Sequence, residues 1–227
     1  MLTERLTVVK NLIENSETTV DVGTDHGYVP ICLIEEKRAK KVIAADINEG
    51  PLKNAEKNVK LNGLSDKIEL RLGSGLVPIK EGEADSLIIA GMGGILISEI
   101  LEEGKSKAKK LKNIVLQPMN SQEDLRRYLA DNGYRIIEEK LAKEGRKMYN
   151  ILSVRVEEDS PYEKECYYYL GKPQNFNLDE DITKEYIEIR KKQFETVIEN
   201  LSRSKRDVDK ELEFYKQILK DMEDFYA

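Results

Sequence analysis

The residues best suited to chemistry gather in one short stretch, Asp21-Val-Gly-Thr-Asp-His-Gly27, where a β-branched run ends on a glycine-bearing turn and a helix-forming segment begins. In doubly wound folds such a turn holds nucleotide-like ligands, because helix amides and a close backbone approach are available there. Charge narrows the choice of ligand. Asp21 ends the run, Asp25 sits within the turn, and the stretch lacks the full GxGxxG register. A pyrophosphate would be repelled by carboxylates at short range. The ammonium and sulfonium of S-adenosylmethionine are attracted by them, so that cofactor is expected here. Gly23 and Gly27 shape the turn. Tyr28 and Pro30 line the pocket wall, although Pro30 is equally well explained as a first helical residue. His26, the one histidine of the chain, either holds cofactor or target or is structural.

Asp46 closes a second β-branched run 25 residues after Asp21, where a carboxylate accepts hydrogen bonds from ribose hydroxyls. Ile47 follows it and suits packing on an adenine face. These residues need a scaffold that brings strand ends to one edge, and the chain supplies the pattern. Leu2, Leu6, Val9 and Ile13 recur at helical spacing before the run Thr18 to Val22. Tyr28 to Ala39 reads as a helix, Val42 to Asp46 as a strand, and Pro51 to Asn62 as a helix closed by Gly63. Strands follow at Ile68 to Leu72, Ser86 to Ala90 and Asn113 to Gln117, with helices at Ile95 to Glu103 and Ser121 to Asp131. Alternating strands and helices imply a parallel sheet covered on both faces.

Tyr134 to Glu138 and Tyr149 to Val156 are consecutive strand-like runs joined by a charged loop, so they should pair as an antiparallel hairpin. Five parallel strands finished by a hairpin give the seven-stranded, Rossmann-like outline of class I methyltransferases. Beyond Asp159-Ser-Pro161 the β-branched density falls, which predicts a methyltransferase domain over 1–158 and a helical domain over 159–227. In the latter, Tyr162 to Leu170 is a short element ahead of Gly171-Lys-Pro173. Ile182, Tyr186 and Ile189 lead to Phe194, Val197 and Leu201. Val208, Leu212, Tyr215, Leu219, Met222 and Tyr226 then keep heptad spacing. With the polar break Ser202 to Lys205 between them, these segments read as a helical hairpin resembling a short coiled coil, serving either to contact RNA or to buttress the first domain.

Composition excludes several classes. No apolar run approaches the roughly 20 residues that span a bilayer, and residues 1–15 lack a secretory core, so a cytoplasmic protein without a membrane role is expected. Cys32 and Cys166 stand apart, which argues against zinc, any other metal site and disulfides. The net charge of -6 gives no global pull on a polyanion. Nucleic-acid binding would therefore need local basic faces, for which Lys105 to Lys112, Arg126-Arg127, Arg146-Lys147, Arg190 to Lys192 and Arg203 to Arg206 are candidates.

Five segments, in order, carry a closer likeness: Asp21 to Pro30, Ala45-Asp46-Ile47-Asn48, Leu72-Gly-Ser-Gly-Leu76, Ile89-Ala-Gly-Met-Gly-Gly94 and Gln117-Pro-Met-Asn120. Together with the helical C-terminal part they resemble the TrmK family, bacterial tRNA (adenine-22 N1)-methyltransferases. The resemblance implies tRNA as partner, Gly73, Ser74 and Gly75 beside the cofactor's adenine, and Gly91, Met92 and Gly93 as further cofactor-binding residues in a turn whose backbone approaches the reaction centre. Ser74 departs from the acidic residue often found there, and a hydroxyl still accepts the adenine amino group. After the fourth strand, the Asn/Asp-Pro-Pro-aromatic motif of exocyclic-amine methyltransferases is absent. That suits N1, whose in-plane lone pair is already nucleophilic and needs positioning more than a base. Asp25, with His26, is the catalytic candidate, its carboxylate stabilising the N1-methyl cation. Gln117, Asn120, Arg146 and Tyr149 are candidates for the target base, through amide edges, charge and stacking. Equally, Asn120 or Ser121 would cap the following helix, and Tyr149 would be a hairpin core residue. Two other functions share these features: a small-molecule methyltransferase, or a non-catalytic RNA-binding protein on the same fold. A monomer is compatible with all of them.

Overall fold

The central strands are runs that bury both faces over most of their length, and the strand order explains where the carboxylates end up. The computed structural model describes residues 2–178, 180–204, 206–223 and 225. Among them the chain divides into two compact units, Met1–Asp159 and Ser160–Ala227. In the first, α1 (Glu4–Leu12) precedes β1 (Ser16–Val22), α2 (Tyr28–Glu35), β2 (Ala39–Asp46), α3 (Glu49–Leu61) and β3 (Ile68–Leu72). Next come β4 (Ser86–Met92), α4 (Gly94–Glu103), α5 (Lys105–Ala108), β5 (Asn113–Pro118), α6 (Gln122–Asp131), β6 (Arg135–Glu144) and β7 (Lys147–Arg155).

The seven strands form one sheet in the order β3-β2-β1-β4-β5-β7-β6. The first five run parallel, and β7 lies antiparallel between β5 and β6. On one face Val20, Val22, Leu87, Ile89 and Leu116 pack beneath Ile97 and Leu101 of α4 and Leu125 and Leu129 of α6. On the other, Val42, Ala44, Ile88 and Val115 meet Val9 of α1, Ile13 just beyond its end and Leu33 of α2. Each of the valine, leucine and isoleucine side chains among them, removed from water, stabilises the fold by about 1.5–3 kcal/mol.

Several boundaries differ from the sequence expectation. The helix expected over Tyr28 to Ala39 stops at Glu35, because Lys37 adopts a φ of 58° and releases Ala39 into β2. Gly27 (φ 69°) stands ahead of α2, so Pro30 is its third residue rather than its first. The hairpin is longer than the two apolar runs. Its charged stretch Glu139 to Met148 joins the ladder, leaving Gly145 and Arg146 as the turn. Ser121 precedes α6 at φ 49° without a side-chain bond to the helix, so the expected cap does not form.

The second unit contains α7 (Cys166–Leu170), α8 (Asp181–Ser202) and α9 (Asp209–Glu223). Helices α8 and α9 pack on each other, with the Phe194 ring 6.0 Å from that of Tyr215. The buried positions of α9 are Ile218 and Met222, while Leu212, Tyr215 and Leu219 are half-buried. Tyr226 and Lys205, at the end of the heptad stripe and within the expected break, lie outside the described residues. No helix among the described residues is long and apolar enough to cross a membrane.

Candidate cofactor and active site

Neighbouring strands β1 and β4 mark the point where strand order reverses, so the connections leaving them part to opposite faces and open a crevice at their carboxyl ends. Asp21 is the penultimate residue of β1 and Asp46 the last of β2. Asp21 is 7% exposed, and burial pushes its carboxyl up to about 6; the nearby Thr24 hydroxyl opposes that rise and the charge of Asp46 adds to it. A buried anion kept at this cost suits a cationic ligand.

The turn after β1 is stitched to β2, with the amides of Gly23 and Thr24 both donating to the Ala45 carbonyl at 2.8 and 3.1 Å. Gly23 has a φ of 79°, and a methyl group added to it would lie 2.3 Å from Met92 Cε. The β1 and β4 turns therefore touch across the crevice. Asn58 Nδ2 donates to the His26 carbonyl at 2.9 Å and ties the turn to α3. The His26 ring stacks on Tyr28 at 5.3 Å, with its Nε2 3.4 Å from Asp25 Oδ1. Asp25 and His26 both reach solvent, at 68% and 43% side-chain exposure.

Asp46 is oriented at both of its polar ends. Its Oδ1 accepts from the Asn48 amide at 2.7 Å, and its carbonyl accepts from the Gly73 amide at 2.9 Å. Ser74 is exposed beside it, whereas Gly75 is buried against Ile100 and shapes the loop from inside. Tyr28, Ile47, Leu72, Ile95, Leu96 and Met119 are all exposed, and all lie at or just beyond strand carboxyl ends. Large apolar groups left out of the core along one polar edge mark a ligand surface.

The turn after β4, Gly91 to Gly93, is held from below. Gln117 is fully buried: its Oε1 accepts from the Gly91 amide at 3.1 Å and from Arg5 Nη1, and its Nε2 donates to the Pro118 carbonyl at 2.8 Å. The structure therefore corrects the expectation that Gln117 faces a base. Tyr149 is 9% exposed, with the Arg5 guanidinium 5.4 Å from its ring centre, which agrees with the hairpin-core alternative. Asn120 is exposed, and its Oδ1 would lie 2.9 Å from a methyl group on Gly93. Gly94 approaches the next loop so closely that a methyl group there would sit 2.1 Å from the Ser121 carbonyl oxygen. Arg146 is exposed at the hairpin turn, beyond the carboxyl end of β5.

Sequence reasoning missed Arg5 and Glu144. The Arg5 amide donates to Glu144 Oε1 at 3.1 Å, and its Nε lies 3.8 Å from Glu144 Oε2. Arg5 stands three residues after Leu2 and four before Val9, on the apolar stripe of α1, and a cation there signals a hidden partner. The basic runs do not all serve this edge. Arg126 is fully buried and paired with Glu139 at 2.7 Å. Lys105 to Lys112 leads into the amino end of β5, with Lys105 on Glu102, Lys110 on Glu81 and Lys109 on the Gly133 carbonyl. No group of three metal-ligating side chains occurs among the described residues.

A family model described as a methyltransferase domain matches residues 2–152. The tRNA (adenine(22)-N(1))-methyltransferase of Bacillus subtilis (strain 168) is 39% identical over 151 residues, 66% of this chain and 63% of that protein. The match thus spans less than two thirds of that curated relative. Among solved structures, M. capricolum TrmK in complex with S-adenosyl-homocysteine is 30% identical, with a TM-score of 0.85 and 98% of both chains covered. The B. subtilis m1A22 tRNA methyltransferase TrmK is 28% identical, with a TM-score of 0.86 over 100% of this chain and 99% of that one. This chain, with its carboxylate-lined crevice at the β1/β4 edge, belongs to the methyltransferase-domain family and, within it, to the TrmK tRNA (m1A22) methyltransferases.

Proposed function

We propose that this protein transfers the methyl group of S-adenosylmethionine to N1 of adenine 22 in tRNA. The observation that carries the reading is the buried anion Asp21, facing the same crevice as Asp46 and the Gly91 to Gly93 turn. The cofactor, when bound, supplies a methyl carbon made electrophilic by its sulfonium. Asp21 attracts its cationic end, Asp46 accepts from the ribose hydroxyls, and Ile47 with Gly73 and Ser74 borders the adenine. The glycine turn after β4 lets the target base come close, and Met92 closes the crevice floor against Gly23.

Adenine N1 attacks in line, forming the new carbon–nitrogen bond as the carbon–sulfur bond breaks. Positioning supplies most of the acceleration, since no proton must leave N1 beforehand. Asp25, solvent-facing and next to His26, balances the positive charge that appears on the methylated base. Asn120 and Arg146 stand on the target side, the first with an amide edge and the second with a charge for phosphate. The basic residues Arg190 to Lys192 of α8, with Arg203 and Arg206 beyond its end, hold the body of the folded RNA in the cytoplasm.

Incubation with tritiated cofactor and an unmodified tRNA transcript tests this, followed by nucleoside digestion. Label in 1-methyladenosine, abolished when adenine 22 is replaced by guanine, is expected. Label that survives the replacement, or that enters only a metabolite extract, would refute it.

A further inference from the structure

We infer that Arg5 is a positioning residue, which through Gln117 fixes the peptide leading into the Gly91 to Gly93 turn and so sets where that turn meets the reacting base. The inference rests on the function proposed above. Gln117 Oε1 is a shared acceptor: it takes the Gly91 amide at 3.1 Å and Arg5 Nη1 at once. Arg5 is held in turn from three directions. Its backbone amide donates to Glu144 Oε1 at 3.1 Å, its Nε faces Glu144 Oε2 at 3.8 Å, and its guanidinium lies over the Tyr149 ring at 5.4 Å.

These contacts join four parts of the chain that are far apart in sequence: the start of α1, the end of β4, the end of β5 and the tip of the β6–β7 hairpin. The ladder between β4 and β5 is irregular between Ala90 and Met92, so the ordinary strand register does not hold Gly91. Gly91 has a φ of 81° and no side chain, so its amide is what anchors the entry to the turn, while the far side is held by the Met119 amide on the Met92 carbonyl at 2.8 Å and the Gly94 amide on the Asn120 carbonyl at 3.0 Å. The charge-assisted bond from Arg5 Nη1, with the Gln117 Nε2 bond to the Pro118 carbonyl at the other end of the amide, locks the side chain in the one orientation that presents Oε1 to the Gly91 N–H. Arg5 has an 18% exposed side chain, and its hydrogen bond ends on a buried atom, so it acts from beneath the surface rather than as a phosphate contact.

Four variants of the full-length protein test the clamp: Arg5→Met, Arg5→Lys, Gln117→Leu and Gln117→Glu. Three quantities are measured, namely cofactor affinity by calorimetry, kcat and KM for tRNA separately, and hydrogen exchange of the glycine amides by ¹⁵N-glycine labelling. Asp21, Asp46 and their loops are left intact, so each folded variant should bind cofactor within about threefold of the wild type. Loss of the acceptor or of its cation should lower kcat by about 10- to 100-fold with KM little changed, the scale expected when a reacting group is misplaced by about 1 Å. Gly91 exchange should accelerate in Arg5→Met and Gln117→Leu. Gln117→Glu keeps an acceptor for both donors and should lose several-fold less than Gln117→Leu, and Arg5→Lys less than Arg5→Met. The double variant Arg5→Met/Gln117→Leu should be no slower than Gln117→Leu alone. A raised KM with unchanged kcat in Arg5→Met, or Gly91 exchange that stays at the wild-type rate, would overturn the inference. If the wild type leaves tRNA unmethylated while Gly91 exchange still responds to these variants, the clamp stands and the proposed substrate falls.

Discussion

Replacing Asp21 with asparagine should make the cofactor-free protein more stable while removing its cofactor affinity. Burial raises this carboxyl from 3.8 to about 6. At 1.36 kcal/mol per pH unit, that interval corresponds to about 3 kcal/mol by which the ionised form strains the fold. The sign follows from the direction. A raised acid binds its proton more tightly when folded, so its stabilising contribution is complete below pH 3.8 and is lost as pH rises through about 6. At pH 8 the wild type therefore holds a buried charge that Asp21→Asn lacks, with size and one acceptor oxygen preserved. Without cofactor at pH 8, the variant should exceed the wild type by about 2–3 kcal/mol, or about 4–12 °C in Tm for a domain of this size. The gap should close as pH falls toward 4, where both side chains are neutral. Cofactor at 100 times its Kd should stabilise the wild type by about 2.7 kcal/mol and leave the variant unmoved. Denaturant or thermal melts from pH 4 to 8, with and without S-adenosylmethionine, measure all three quantities. A variant less stable than the wild type at pH 8, or a gap independent of pH, would refute the account of Asp21 as a strained anion.

Asp46→Ala should weaken cofactor binding by about 10- to 100-fold, the worth of a hydrogen bond to a charged acceptor, and an unchanged calorimetric Kd would remove Asp46 from the site. Gly94→Ala should lower Tm and cofactor-dependent activity together, because the added methyl would lie 2.1 Å from the Ser121 carbonyl oxygen and backbone must move. Between α6 and β6, Arg126→Met leaves the Glu139 carboxylate buried without its cation and should cost about 3–5 kcal/mol in denaturant melts. The double change Arg126→Met/Glu139→Leu should recover most of that. A chain truncated after Asp159 should bind S-adenosylmethionine normally and methylate tRNA poorly, as read by calorimetry and tritium transfer; undiminished transfer would free the C-terminal unit of an RNA-holding role.

What could be read from the sequence divides by the range of the interactions that decide it. The strands around Asp21 and Asp46 were legible because parallel strands buried on both faces read as unbroken aliphatic and β-branched runs. The two carboxylates were legible because each ends such a run, a purely local fact. Helix α2 ended early for a reason that leaves little trace in sequence, a lysine at φ 58°. Gln117 shows the limit most clearly. Beside Asn120 at a strand end, its side chain was as good a reader of a base as any amide, and nothing nearby in sequence says otherwise. Its Oε1 is taken by an arginine 112 residues earlier and by the Gly91 amide of a neighbouring strand. Such a partner is invisible to local pattern, but the cation it needs is not. An arginine on the apolar stripe of α1 has to be satisfied by something buried, and polar groups at strand ends are the buried acceptors that a parallel sheet offers. Pairing such misplaced charges with strand-end amides before assigning those amides to a ligand would have moved Gln117 from the substrate to the scaffold.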